Sequence, residues 1–107
     1  MKFLSILLAI IFTPIASATV VTNDEGKITR IHTYDDYKQG TVFIFLSKPV
    51  TACPNGAYLS PSSPGIERLY SMALAILMSN KNVTFQLYDD RIIDGRCEVD
   101  AIQVGAN

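Results

Sequence analysis

The chain has 107 residues, 49% hydrophobic and 18% charged, with a net charge of −1, two cysteines and no tryptophan. That length suits one small domain rather than two. The balanced charge argues against nucleic-acid binding, which needs a basic face.

The amino terminus reads as an export signal. Lys2 supplies the positive start, "FLSILLAIIF" an apolar core, and "ASA" (16–18) a small-residue cleavage pattern. The apolar run is shorter than the roughly 20 residues a membrane-spanning helix needs. Cleavage after Ala18 removes 18 of 107 residues and leaves 89, residues 19–107, as one secreted or periplasmic domain. Losing Lys2 takes the net charge from −1 to −2.

After the turn residues "NDEG" (23–26), "KITRIHTY" (27–34) predicts a strand whose alternation is imperfect. Ile28, Arg30, His32 and Tyr34 fall on one face; Thr29, Ile31 and Thr33 fall on the other. "DDYKQG" (35–40) is turn chemistry, and "TVFIFLS" (41–47) predicts a buried strand. The two form a hairpin. "KPVTACPNG" (48–56) reads as a loop, and "AYLS" (57–60) as a third short strand.

"PSSPG" (61–65) sets up a helix over about 64–79, with Ser63 as N-cap, Pro64 first and Glu67 near the positive end. Its apolar residues cover roughly 240° of the circumference at 100° per residue, against the stripe of a little over 100° that one-sided packing needs. The excess, Met72, Leu74 and Met78, predicts contact between subunits. "SNKN" (79–82) ends the helix. "VTFQLY" (83–88) turns Val83, Phe85 and Leu87 to one side, "DDRIIDGR" (89–96) is a loop, and "CEVDAIQV" (97–104) is the last strand.

The order is β-β-β-α-β-β. In an α+β, mainly β chain of this size it predicts a small five-stranded barrel of the oligonucleotide/oligosaccharide-binding (OB) type, with its helix between strands three and four. An open α+β sandwich is the competing architecture. Cys53 and Cys97, both in the exported part, predict a disulfide; no CxxC or histidine pair makes them a zinc site.

In an OB barrel the loops after strands one and four flank the ligand face. They carry "TYDDY" and "LYDD" here, and so gather Tyr34, Asp35, Asp36, Tyr37, Tyr88, Asp89, Asp90 and Arg91 on one rim. Tyrosine faces stack on sugar rings and carboxylates accept hydrogen bonds from sugar hydroxyls, so the set suits a neutral or amine-bearing glycan. Ordinary turns use the same residues. Asp89, Asp90 and Asp94 offer oxygen ligands for calcium, without EF-hand spacing. One strand histidine, His32, and adjacent aspartates on turns do not assemble an active site, and nothing in the chain calls for a cofactor.

The stretches "FIFLSKPVTACPNGAYLSPSSPGIERLYSMALAILMSNKNVTFQLYDD" (43–90) and "GRCEVDAIQV" (95–104) resemble, in element order and cysteine placement, the B subunits of AB-type toxins. Within that group the chain resembles the B subunit of the subtilase cytotoxin and its pertussis-like relatives. The chain also looks like a group of small exported bacterial proteins with a similar "LSPSSPG" and "YDD" layout. The resemblance implies an OB fold, a homopentameric ring, an A subunit as partner, and recognition of host glycans. The alternative is an exported interaction domain or inhibitor without sugar affinity.

Overall fold

A computed structural model describes residues 20–105; the expected export signal at 1–18 lies outside them. Six strands form: β1 (Val20–Thr22), β2 (Ile28–Thr33), β3 (Val42–Leu46), β4 (Gly56–Leu59), β5 (Thr84–Ile93) and β6 (Arg96–Gln103). The helix α1 (Ile66–Ser79) connects β4 to β5. The fold is therefore small and mainly β, with its helix where the sequence places it.

The closed five-stranded barrel is corrected. The strands lie in one open sheet, in the order β1-β5-β6-β4-β3-β2. All neighbours are antiparallel except β4 and β6, which run parallel. The reason is the unforeseen β1, which occupies the outer edge of β5 by pairing Val20 with Tyr88 and Thr22 with Gln86. The segment leading into β2 meets the chain just before β5 in an isolated bridge between Gly26 and Val83, which exchange hydrogen bonds of 3.2 and 2.7 Å. Asn23, 5% exposed, braces the same corner by accepting the Phe85 N–H at 2.6 Å. A buried amide is tolerated because its oxygen is satisfied.

One sheet face carries the core. Val42, Ile44, Ala57, Leu59, Phe85, Leu87 and Val99 pack against Ala73 and Ile76 of the helix. Val83, Phe85 and Leu87 are buried together, as alternation predicts. Two bulges explain where alternation fails. A register shift between Ile28 and Arg30 lets Ile28 join the core while Arg30 pairs beside Phe45. A second, between Gln86 and Leu87, changes the phase of β6, so Val99 and Ile102 are both buried. A bulge adds one residue to one strand and so switches the face of everything after it.

The helix begins later than expected. Gly65 is the N-cap, with no side-chain capping bond, and Ser63 accepts the Ile66 N–H through its carbonyl at 3.1 Å. Asn80, left-handed at φ 57°, ends it. Lys27 Nζ donates to the Asn80 carbonyl at 2.7 Å, a cation at the negative helix end. Of the residues expected to contact neighbouring subunits, Leu74 is 40% and Met78 78% exposed, whereas Met72 packs partly buried against the core. The Cys53–Cys97 disulfide forms between the β3–β4 loop and β6, with both residues fully buried.

Candidate functional site

The β2–β3 turn winds tightly. Lys38, Gln39 and Gly40 are all left-handed, at φ 50°, 64° and 93°, and the reversal presents Tyr37 toward the neighbouring hairpin. There Tyr37 Oη donates to Asp94 Oδ2 at 3.0 Å. Asp94 and Gly95 form the β5–β6 turn, at φ 51° and 76°, the positive-φ pair that tight hairpins favour. Asn55 ties the β3–β4 loop to the same turn, donating from Nδ2 to the Asp94 carbonyl at 2.8 Å and from its backbone N–H to Gly95 at 3.0 Å. Three loops therefore converge at one end of the sheet.

The hydrogen bond to Asp94 holds the Tyr37 phenol above its ordinary range, since ionisation would put two negative charges together. The neutral phenol is the favoured form. Its contribution is complete below the ordinary tyrosine pKa and is lost as pH rises through the raised value. Asp94→Asn is expected to move the Tyr37 titration back toward the ordinary value. Ultraviolet difference titration reads this directly, and an unmoved Tyr37 would show that Asp94 is not the cause.

Aromatic rings pave this end on the face away from the helix. Tyr34 stacks on His32 at 4.3 Å and meets Tyr37 at 4.9 Å and Phe43 at 5.4 Å, the last edge-to-face. Strand pairing extends the surface across the sheet. Tyr88, Glu98, Tyr58, Phe43 and His32 are successive cross-strand partners, one from each of five neighbouring strands. Four steps of about 4.8 Å separate the ends of that row by roughly 19 Å.

Cations cover Phe43, Phe45 and Tyr88 on this face. The Arg96 guanidinium lies 4.0 Å from the Phe43 centroid and 5.0 Å from that of Phe45, and Arg30 lies 5.1 Å over Phe45. Arg91 covers Tyr88 at 4.1 Å. At the tip the cover is loose: Lys38 Nζ stands 5.9 Å from the Tyr37 ring, and Tyr37 is 40% exposed. The open ring surface is therefore concentrated at Tyr37 and the exposed His32.

The eight expected rim residues fall into two groups on one sheet. Tyr34, Asp35, Asp36 and Tyr37 gather at the β2–β3 tip, with Asp35 and Asp36 exposed. Tyr88, Asp89, Asp90 and Arg91 lie within β5, not in a loop, because that strand continues to Ile93. Among the described residues the two groups share no hydrogen bond, ion pair or ring contact; the tip meets the β5–β6 hairpin through Asp94 instead. Tyr88 Oη donates to Asp100 Oδ1 at 2.6 Å, which raises its pKa, and Arg91 faces Glu98 at 3.6 Å. Among the described residues no three carboxylate, histidine or cysteine side chains cluster as a metal site.

Sequence reading missed Asp94, Arg96, Glu98 and Tyr58 as members of this surface. The signal for two of them was present: Arg96 and Glu98 alternate with buried Cys97 and Val99, so they must share the opposite face. A cleft of about 450 Å³ opens next to Tyr88 and Arg91, between the start of α1 and β6. No family model matches this chain, and neither the curated proteins nor the solved structures contain a match to it.

Proposed function

We propose that this protein is a secreted, non-enzymatic glycan-binding module, built on an OB-like sheet and resembling a toxin B subunit. One observation carries the reading: the Tyr34–Tyr37–His32 ring cluster stands at the joined hairpin tips, with an exposed tyrosine face bordered by Asp35 and Asp36. Sugar C–H groups stack on such a ring while the carboxylates accept hydroxyl hydrogen bonds. Omitting β1, the neighbour order β2-β3-β4-β6-β5 with a parallel β4–β6 pair supports the OB relationship. The tip is then the loop between the first two strands of the OB order, where OB ligands bind.

The test is a glycan array probed with the mature, disulfide-bonded protein. Tyr37→Ala is expected to lower retention of any bound glycan by about tenfold or more, the usual cost of truncating a central aromatic anchor. A folded protein that retains no glycan would overturn the reading. Exposed Leu74 and Met78 favour a second element, assembly into a homo-oligomeric ring, a pentamer by resemblance, with an A subunit as its further partner. The same two side chains equally suit an interaction or inhibitor domain without sugar affinity. A monomer by light scattering would remove the ring.

A further inference from the structure

The cleft beside β6 has a different chemistry from the ring cluster. The parallel β4–β6 ladder ends at Tyr58 and Glu98, while β6 continues to Gln103. Beyond Leu59 the chain leaves β4 and turns through 60–65 into the helix, and the 450 Å³ cleft opens between that turn and β6. That volume lies within the range of small-molecule sites.

Its walls carry opposite charges. On the helix side stand Arg68 and the hydroxyls of Ser62 and Ser63. Arg68 Nη2 folds back against Gly65, 3.4 Å from where a Cβ would stand. Among the described residues no carboxylate lies within ion-pair distance of it. On the strand side stand Glu98 and Asp100. The Glu98 side chain is only 15% exposed, and its one ion-pair partner is 3.6 Å away on the far more exposed Arg91. Asp100 uses Oδ1 for Tyr88 and has Oδ2 to spare. Between the walls, Leu69 and Val99 supply an apolar floor.

We infer that this cleft binds a free α-amino acid with an apolar side chain. Its carboxylate meets Arg68 and the two serines, its ammonium meets Glu98 and Asp100, and its side chain lies on Leu69 and Val99. A sugar fits less well, because the one ring in the cleft, Tyr88, is already covered by Arg91. The proposal is independent of the glycan reading, whose ring cluster lies on β2 and β3, two to three strands from β6 across the sheet.

L-leucine titrated into the isotope-labelled mature protein tests it by amide NMR shifts. Leucine is expected to move Ser63, Leu69 and Val99 and to leave Tyr37 unmoved. Two half-ligands, 4-methylpentanoate without the ammonium and leucinamide without the carboxylate, bind about tenfold or more weakly, as loss of a charge-assisted hydrogen bond dictates. Arg68→Gln weakens leucine to the same degree with the rest of the spectrum unchanged, since Arg68 is an exposed helix residue. No shift with leucine overturns the proposal. So do equal affinities for leucine and a half-ligand, or glucuronate moving these amides where leucine does not. Loss of glycan retention in Tyr37→Ala with leucine binding intact separates the two sites.

Discussion

Replacing both cysteines by alanine is expected to lower the unfolding free energy by about 4 kcal/mol. The Cys53–Cys97 bridge closes a loop 44 positions long, and the loop-entropy relation assigns roughly that much to its loss in the unfolded chain. The location adds to the effect. Cys97 pairs with Ala57 at the start of the parallel β4–β6 ladder, whose two strands are joined in sequence only through α1 and β5. Parallel pairing of this kind closes late and at large entropic cost. A domain of this size has a thin core, and total stabilities are only about 5–15 kcal/mol, so the loss removes much of the margin. Urea denaturation followed by circular dichroism measures it, with the midpoint expected to fall by about 2 M or more for an m-value near 1–2 kcal/mol/M. A fall equivalent to less than about 1 kcal/mol would mean that the β4–β6 pair is held by packing and not by the crosslink.

Much of this arrangement is legible in the sequence, for reasons that separate the legible from the rest. The strand cores "VFIFL" and "FQL" are β-branched or aromatic and sit between turn residues, so local preference and burial agree there. The helix shows itself through its apolar run, and its unused apolar residues reappear as exposed Leu74 and Met78. The failures have a common origin in pairing, which is not local. "DDRII" reads as a turn from composition, yet it continues β5 because β6 supplies partners for Ile92 and Ile93 beyond a register shift at Tyr88. "VVT" at 20–22 is too short to announce a strand, and its position is set by Asn23 and Gly26 fastening the following turn to β5. That short strand decides the architecture, since it takes the edge that a closing β2 would require.

The site follows the same division. The two tyrosine–aspartate stretches are visible in sequence, and the expectation that hairpin tips carry the surface rests on their turn chemistry. What joins the tips is a single hydrogen bond, from Tyr37 to Asp94, and Asp94 was read only as one member of a calcium set. The guanidinium cover on Phe43, Phe45 and Tyr88 depends on cross-strand register, and register shifts at three places, Ile28/Arg30, Gln86/Leu87 and Tyr88/Ile92. A glycan surface drawn from tyrosine positions alone would therefore have assigned the same role to Tyr88 and Tyr37, whereas Arg91 covers the first and the second is open.

Gly56→Ala is expected to destabilise the protein by more than about 3 kcal/mol, the range reached only by backbone strain or severe core disruption. Gly56 opens β4 at φ 117°, outside the regions that L-residues occupy readily. An added Cβ would fall on the Ile44 carbonyl oxygen, with the Ile44 carbonyl carbon and Phe45 Cα both 3.5 Å away. All three are backbone atoms of β3, so no side-chain rotation relieves the contact. Relief requires β3 and β4 to part where Ile44 pairs with Ala57, beside the disulfide and beneath the Arg96 stack on Phe43. Gly105→Ala is the control. Nothing lies within 4 Å of its Cβ position, and a change within about 0.5 kcal/mol is expected there. Paired denaturation curves of the two variants decide the matter. If the two alanines cost the same, β4 does not approach β3 as closely as described, and the positions of Tyr58, Arg96 and Glu98 on the outer face lose their anchor.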